Sequence, residues 1–324
     1  MNKFDIITFG SNTVDNFIYS DSELIEIKAP HFKESLLAYP YGSKLLIKDF
    51  SKSIGGGGTN TSVSFSRLGL KTAYCGVIGK DNNGIEVINK LKSENVTFVG
   101  EVKELPTGFS VILDSFEKDR TILTYKGANN HLTYDDLNFD KLNTDWFYFS
   151  SLVEESFETM KELFSYANKN NIKVAFNPSS YQVENLDLSD LNYVDFLIFN
   201  KEEAQSLLND KSLSIKGIIS NLSNYTTPII TNGKDGAYTI QNKLIYHIVP
   251  NDTKVIESTG AGDAYASGFI YGKIKDFSNK ESLKIGLLNS ESVISHKSAK
   301  KGLLTKKALN KKLKQTNFKI EQLN

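Results

Sequence analysis

Cysteine and an excess of either charge are what this chain most clearly lacks. One cysteine, Cys75, occurs among 324 residues, so no internal disulfide can form, and we expect a buried strand residue in a reducing compartment. Lys and Arg total 38, as do Asp and Glu, and this balance argues against a nucleic-acid partner held by bulk charge. No stretch approaches the ~18 apolar residues of a membrane-spanning helix, and the N-terminal apolar run is too short for a signal peptide. We therefore expect a cytoplasmic protein without a membrane partner.

Internal repeats and low-complexity linkers are also missing, so we treat residues 1–324 as one large α/β domain. Short apolar strands such as residues 5–9 alternate with helical segments. Continuous apolar strands separated by helices predict a mostly parallel sheet covered on both faces. Residues 20–50 are an irregular mixture of polar and aromatic side chains, and Phe109–Asp114 with Arg120–Tyr125 predicts a hairpin. We expect these segments to form a small β flap.

The common nucleotide-binding motifs are absent. A Walker motif needs Gly-Lys followed by Ser or Thr, whereas Lys80 and Lys234 are each followed by Asp. The glycines at 55–58 do not complete the dinucleotide-binding fingerprint, because Asn60 and Thr61 stand where its third Gly would be. Any phosphate site must therefore be built in another way.

Residues 258–264, Ser-Thr-Gly-Ala-Gly-Asp-Ala, are the most informative stretch that is present. Small residues followed by Tyr265 and Phe269 at helical spacing predict a helix start whose backbone N–H groups bind an anion. Asp263 stands inside that anion site, where it would repel a resting phosphate but accept a proton from a hydroxyl that attacks the phosphate. The alternative is a glycine-rich turn with Asp263 as a partner of the helix dipole, and the stretch alone leaves both interpretations open.

Two segments nearer the N-terminus favour contacts with a ligand. The four glycines at 55–58 let a ligand approach the backbone closely, and Asn60 offers a donor and an acceptor to sugar hydroxyls. The alternative is a flexible loop with Asn60 as a helix cap. Asn12 and Asp15 follow the first strand, where open α/β sheets bind ligands, although simple turn chemistry accounts for them equally well.

Two later segments also follow predicted strands. Residues 200–203, Asn-Lys-Glu-Glu, include carboxylates that would hold a hydrated Mg²⁺ on phosphates. Capping of the next helix by Asn200 explains the same residues and is the stronger interpretation of that segment alone. Residues 231–236, Thr-Asn-Gly-Lys-Asp-Gly, predict a turn at the end of a strand.

In this order, the five segments resemble the ribokinase-like, or PfkB, family of carbohydrate kinases. Residues 55–60 followed by Arg67-Leu68-Gly69 are similar to the family's N-terminal signature, and residues 258–263 to its C-terminal signature. The resemblance implies a three-layer α/β/α fold with a mostly parallel central sheet and a small β lid. It also implies an ATP- and Mg²⁺-dependent kinase that transfers the γ-phosphoryl group to a hydroxymethyl group of a sugar or sugar acid.

The resemblance assigns roles to individual residues, with Asp263 as the general base. The other matched positions are the anion hole Gly260, Ala261 and Gly262, the substrate contacts Asn12, Asp15, Gly56, Gly57 and Asn60, and the nucleotide-binding positions Asn200, Glu203, Thr231, Gly233, Gly236 and Asn289. Among these, Glu203 matches a residue that organises Mg²⁺, often through water. Residues 20–50 and 109–125 match the lid, which closes over the sugar and often forms a homodimer contact.

One position departs from the family pattern. Glu257 stands where the family commonly has Asp, and that carboxylate often helps to hold a monovalent cation beside the anion hole. Glu keeps the charge but moves it outward by one methylene, so the sequence leaves activation by K⁺ open.

Two alternative functions and one further interpretation remain. A nucleoside kinase of the same family would need an apolar wall for the base; Phe17, Tyr19 and Phe109 fit this role and fit the core of the lid equally well. A non-catalytic sugar or nucleotide sensor would have no need to keep Asp263. The lysine-rich tail from Lys300 predicts a solvated final helix instead of a patch for nucleic acid or membrane.

Overall fold

A computed structural model describes residues 3–19, 24–29, 32–37, 41–42, 44–114 and 120–323 of the chain. Part of the predicted flap, and the turn between the strands of its hairpin, lie outside the described residues. The strands are β1 Ile6–Phe9, β2 Thr13–Tyr19, β3 Leu24–Ala29, β4 Phe32–Leu37, β5 Asp49–Gly55, β6 Thr72–Cys75, β7 Val77–Gly79, β8 Thr97–Phe98, β9 Glu101–Lys103, β10 Phe109–Asp114, β11 Arg120–Tyr125, β12 Trp146–Phe149, β13 Lys173–Phe176, β14 Phe196–Asn200, β15 Thr227–Thr231, β16 Ala237–Gln241, β17 Leu244–Val249 and β18 Lys319–Leu323. The α-helices are α1 Gly57–Arg67, α2 Asn82–Ser93, α3 Glu155–Lys169, α4 Ser180–Asn185, α5 Lys201–Leu207, α6 Ile215–Leu222, α7 Ala261–Ile274, α8 Asn279–Ile294 and α9 Lys306–Gln315.

The largest described sheet has the strand order β18-β17-β16-β15-β14-β13-β12-β1-β6-β8. From β15 to β8 all neighbouring strands are parallel, with Ile7 opposite Phe147 in the central pair, and β16, β17 and β18 add an antiparallel edge. The predicted, mostly parallel sheet is therefore confirmed. The edge strand β18 was not predicted, because a short polar segment after a lysine-rich helix carries no apolar pattern.

Helices cover both faces of this sheet, as the alternation of side chains in β12 requires. Phe147 and Phe149 point into a core that α3, α5 and α6 cover. Trp146 and Tyr148 point to the opposite face, where they belong to a second core with α1, α7, α8 and α9. The result is the predicted three-layer α/β/α architecture.

A second sheet has the order β11-β10-β2-β5. The predicted hairpin of β10 and β11 is confirmed, with Phe109 opposite Tyr125. The segment after β1 differs from the predicted turn, because from Thr13 onwards it forms β2, which pairs with β10 and with β5. β5 leads directly into α1, so this small sheet is connected to the glycine-rich segment.

Small residues bring α7 and α8 into close contact. A Cβ added at Gly268 would lie 2.9 Å from Cα of Gly286, so neither helix can carry a larger side chain at this crossing without moving apart. Gly76 separates β6, in the main sheet, from β7, which pairs with β9. None of the helices in the described part of the chain is long and apolar enough to cross a membrane.

Candidate active site

Several segments of the candidate site lie at the carboxyl ends of parallel strands. β1 leads to Asn12, β12 to Ser150, β14 ends at Asn200 and β15 ends at Thr231. Carboxyl ends of parallel strands meet at one edge of a sheet, which is where open α/β folds bind ligands. From β1 to β14 there are three strand spacings, or roughly 14 Å, so a ligand that joins the two groups of residues must be extended.

The start of α7 has backbone groups and open space where side chains would normally stand. Gly260 is the N-cap with φ 77°, and a Cβ there would lie 2.4 Å from Cβ of Ala299. A Cβ at Gly262 would have no heavy atom within 4 Å. The N–H of Ala261 already donates to the carbonyl oxygen of Ser258 over 3.1 Å, whereas helix geometry gives the next amides of the first turn no partner inside the helix. This arrangement suits an anion above Gly262.

Asp263 lies in the same first turn and is held from a different element. The side-chain amide of Asn60, in α1, donates to Oδ2 of Asp263 over 2.8 Å. Burial raises the pKa of Asp263, while the hydrogen bond from Asn60 and the charge of Lys300 oppose that rise. A carboxylate with a raised pKa is a better proton acceptor at neutral pH, provided that it stays ionised.

The glycine run allows the backbone of β5 and α1 to pass close to these groups. Gly56 has φ 90°, and a Cβ there would lie 2.4 Å from the carbonyl oxygen of Ser11. A Cβ at Gly57 would lie 2.9 Å from Oγ of Ser150 and 3.5 Å from Oδ1 of Asp263. The structure therefore brings Gly56 next to the segment after β1 and Gly57 next to Asp263.

Asp15, near the start of β2, lies beside the glycine run at Gly55. Its Oδ1 accepts a hydrogen bond from the hydroxyl of Thr13 over 2.9 Å, and a Cβ added at Gly55 would lie 1.9 Å from its Oδ2. Burial raises the pKa of Asp15, against the opposing effects of the Thr13 hydroxyl and the charge of Lys300. Asp15 and Asp263 therefore approach the glycine segment from two sides.

Two residues predicted to touch ligands, Asn12 and Asn289, are fully buried. The amide nitrogen of Asn12 donates to the carbonyl oxygen of Val77 over 2.8 Å and to Oδ1 of Asn129 over 2.9 Å, so this side chain joins loops below the site. Asn289 is also 0 % exposed. Nδ2 of Asn289 donates to the carbonyl oxygen of Ala264, and Oδ1 of Asn289 accepts from the N–H of Leu304. Both amides therefore join structural elements, and contact of Asn12 with the acceptor and of Asn289 with the nucleotide stays a prediction.

Asn200 and Glu203 form a capping box at the start of α5. Oδ1 of Asn200 accepts from the N–H of Glu203 over 2.8 Å, and Oε2 of Glu203 accepts from the N–H of Asn200 over 2.9 Å. Burial raises the pKa of the half-buried Glu203. Among the described residues no group of three or more His, Cys, Asp or Glu side chains is placed to hold a metal ion. The structure therefore contains the capping arrangement that the sequence favours, and contact of Glu203 with a hydrated Mg²⁺ stays a prediction.

The turn after β15 neighbours this capping box, because Thr231 is the register partner of Asn200. Asn232 donates from its N–H to the carbonyl oxygen of Gly236 over 2.8 Å, which closes the turn. Gly236 has φ 93°, and a Cβ there would lie 2.0 Å from the carbonyl oxygen of Ile248. Gly233 has φ 51° and no heavy atom within 4 Å of an added Cβ, so a flat ligand has room against its backbone.

Glu257 precedes the glycine-rich start of α7 and is 7 % exposed. Its Oε2 accepts from the N–H of Ser298 over 3.1 Å, and its own N–H donates to the carbonyl oxygen of Ile294 over 3.2 Å. The side chain thus ties the segment before α7 to the loop after α8. Binding of a monovalent cation by this carboxylate stays a prediction.

Sequence reasoning did not find Lys300. This residue is 4 % exposed and donates to Thr59 over 3.0 Å and to Oδ1 of Asn60. In the sequence it is the first of two consecutive lysines before a lysine-rich helix, and no local pattern separates it from the exposed Lys301. Only the packing of the loop after α8 against α1 brings it to the site.

Residues 23–306 match the model of the pfkB family carbohydrate kinases. The chain belongs to the pfkB family of carbohydrate kinases. It is therefore a phosphotransferase with an alcohol group as acceptor, and the predicted family is confirmed.

Curated relatives and solved structures agree with this family. The chain is 27 % identical to a ribokinase of Lactococcus lactis over 288 residues, which cover 86 % of this chain and 92 % of the relative. It is 28 % identical to a 5-dehydro-2-deoxygluconokinase of Clostridium perfringens over 291 residues, covering 82 % of this chain and 86 % of the relative. The structure of Arabidopsis thaliana ribokinase complexed with ribose and ATP aligns with a TM-score of 0.78 at 19 % identity, covering 97 % of this chain and 99 % of that one. This likeness supports the ribokinase fold.

Proposed function

We propose that this chain transfers the γ-phosphoryl group of ATP, in a Mg²⁺-dependent reaction, to a hydroxymethyl group of a sugar or sugar acid. One observation carries the proposal. The first turn of α7 combines the open, side-chain-free backbone at Gly262 with the carboxylate of Asp263, which Asn60 holds from α1 over 2.8 Å. An anion cradle and a proton acceptor within one helical turn are the two parts that phosphoryl transfer to a hydroxyl requires.

In this reaction Asp263 orients the acceptor hydroxyl and takes its proton as the bond to phosphorus forms. The amides at the start of α7, together with the positive end of the helix dipole, stabilise the charge on the transferring group. Because the reaction needs alignment more than covalent chemistry, the fixed geometry of Asn60 and Asp263 supplies much of the rate. The lid sheet, β11-β10-β2-β5, carries Asp15 and is suited to cover the acceptor and exclude water.

The nucleotide would lie along the carboxyl ends of β14 and β15. Thr231, Gly233 and Gly236 would contact it, and Asn200 with Glu203 would organise its phosphates and Mg²⁺ through water. The metal supplies charge neutralisation on the phosphates when it is bound. The ATP complex of the Arabidopsis ribokinase supports ATP as the donor.

The acceptor would contact Asp15, Asn60 and the backbone of Gly56 and Gly57. The half-buried carboxylates of Asp15 and Asp263 accept hydrogen bonds from sugar hydroxyls, and the amide of Asn60 can both donate and accept. The relatives named ribokinase and 5-dehydro-2-deoxygluconokinase support a sugar or a keto sugar acid as the acceptor class.

The test is an ADP-release screen of the purified protein with Mg²⁺ and ATP against ribose, fructose, a 2-keto-3-deoxy sugar acid and adenosine. Mass spectrometry and ³¹P NMR of the product then locate the new phosphate. We expect transfer to the hydroxymethyl group of a sugar or sugar acid. Turnover of nucleosides alone would replace this proposal by a nucleoside kinase, and ligand binding without turnover of any acceptor would indicate a sensor.

A further inference from the structure

Lys300 is a buried cation in the loop between α8 and α9. An ammonium group has three N–H donors. Here they meet the carbonyl oxygen of Ile54 at 2.7 Å, Oγ1 of Thr59 at 3.0 Å and Oδ1 of Asn60. With all three donors directed at protein acceptors and only 4 % exposure, this lysine is not available to a substrate carboxylate or a phosphate.

The contact with Asn60 continues to the proposed base. Asn60 accepts from Lys300 through Oδ1 and donates through Nδ2 to Oδ2 of Asp263 over 2.8 Å. An amide alone can turn over and exchange its oxygen with its nitrogen. A lysine ammonium can only donate, so it fixes the oxygen of Asn60 on its own side and the N–H group on the side of Asp263.

The surroundings of Lys300 mix both signs of charge. Burial lowers its pKa to about 7, opposed by the charges of Asp15 on β2 and Asp263 on α7. At the C-terminal end of α2, Lys90 lowers this pKa further, and Glu94, directly after the helix, raises it. Arg67, at the end of α1, donates to the carbonyl oxygen of Lys300 over 2.6 Å and is paired with Glu94.

We propose that Lys300 is a positioning residue for phosphoryl transfer, which holds the Asn60 amide toward Asp263 and stabilises the ionised form of that carboxylate. The inference rests on the proposed function, because it assigns to Asp263 the role of base. Loss of the cation leaves Asn60 free to turn over and removes a favourable charge from Asp263. It therefore lowers kcat and raises the pH at which Asp263 ionises.

The kinetic test compares Lys300→Met, Lys300→Arg and the exposed neighbour Lys301→Met as the matched control. Turnover of the wild type should rise as Asp263 ionises and fall as Lys300 loses its proton near pH 7. For Lys300→Met we expect kcat to fall by roughly tenfold, the factor of a lost charged hydrogen bond, with the KM for ATP unchanged and the decline at high pH absent. The acid limb should move upward by roughly 1 pH unit, as expected for a neighbouring charge.

Lys300→Arg keeps the charge, and a cavity of about 330 Å³ beside Lys300 gives the larger group room. We expect this variant to keep more activity than Lys300→Met and to extend it to higher pH, while Lys301→Met matches the wild type. An unchanged kcat and pH profile in folded Lys300→Met would overturn the proposal.

A second measurement does not depend on turnover. Urea unfolding of the wild type, Lys300→Met, Asp263→Asn and the double variant gives the coupling between Lys300 and Asp263, which we expect to differ from zero. Additive effects would overturn the inference even if the acceptor screen succeeds. If no acceptor is turned over, the proposed function fails, and the coupling still decides whether Lys300 holds Asp263. If Lys300→Met does not fold, Lys300→Gln, which also removes the charge, carries the same cycle.

Discussion

Replacement of Gly262 by alanine separates the effect of the helix start on stability from its effect on catalysis. Gly262 lies in the first turn of α7, outside the left-handed region, and an added Cβ would have no heavy atom within 4 Å. Alanine therefore meets neither a clash nor backbone strain. Such a replacement stabilises a protein by about 0.4–1 kcal/mol, because it restricts the unfolded chain. We expect a melting temperature equal to or slightly above that of the wild type.

Activity should change in the opposite direction. The space above Gly262 is where the proposed function puts the transferring phosphoryl group, and a methyl group there would displace it. A displacement of about 1 Å between reacting groups costs roughly 10²-fold in rate, so we expect kcat/KM for ATP to fall by about that factor. The assay is steady-state ADP release at saturating acceptor, together with thermal unfolding.

The matched control is Gly217→Ala in the first turn of α6. There the nearest atom to the added Cβ is the flexible end of Leu213, at 3.1 Å, and we expect activity to stay at the wild-type level. If Gly262→Ala keeps its full kcat/KM, the phosphoryl group does not pass over the start of α7, and the anion cradle is refuted. A large loss of stability would instead show that the space above Gly262 is not open.

Four other outcomes follow from particular contacts. Gly260→Ala should lose about 2–5 kcal/mol of unfolding free energy in urea, from a left-handed φ of 77° and from overpacking against Ala299 at 2.4 Å, and an unchanged midpoint would contradict this. Wild-type turnover should be higher in KCl than in the chloride salt of a large organic cation, and Glu257→Gln should lose this difference. Equal turnover of the wild type in both salts would remove Glu257 from the metal-binding residues. Because burial raises the pKa of Asp263, the folded state binds the carboxyl proton more tightly than the unfolded chain does. The stability that this proton contributes is lost as the pH rises through the pKa of the folded state. Asp263→Asn should therefore gain stability relative to the wild type as the pH increases from 4 to 8 in thermal unfolding, and a constant difference would argue against a raised pKa. Leu123 is 56 % exposed on β11, so light scattering should show a wild-type dimer that Leu123→Glu converts to a monomer; a monomeric wild type would contradict the lid contact.

The parallel sheet could be predicted because its strands are nearly continuous apolar runs, which only a sheet buried on both faces requires. The first turn of α7 could be predicted because the Gly-Ala-Gly sequence and Asp263 are local features of one helix start. The small sheet was harder to predict. β2 mixes Asp15 and Asn16 with apolar residues, and its partner strands β5 and β10 lie far away in the chain.

The packing partners of Asn289, Asn12 and Lys300 could not be predicted from the sequence, for a common physical reason. Each depends on which distant segment packs against it. Asn289 meets the N–H of Leu304, Asn12 meets Asn129, and Lys300 meets Asn60, 240 residues earlier in the chain. A local pattern shows that a side chain is polar, but only the packed structure shows whether its partners are protein atoms.

The central claim is that Asp263 accepts the proton of the attacking hydroxyl. The most direct measurement is kcat of Asp263→Asn, with ADP affinity by calorimetry, beside the control Asp276→Asn just beyond the other end of α7. We expect kcat to fall by ~10²–10⁴-fold, the usual contribution of a positioned general base, with ADP affinity and the control unchanged. Turnover of Asp263→Asn near the wild-type level would contradict the claim.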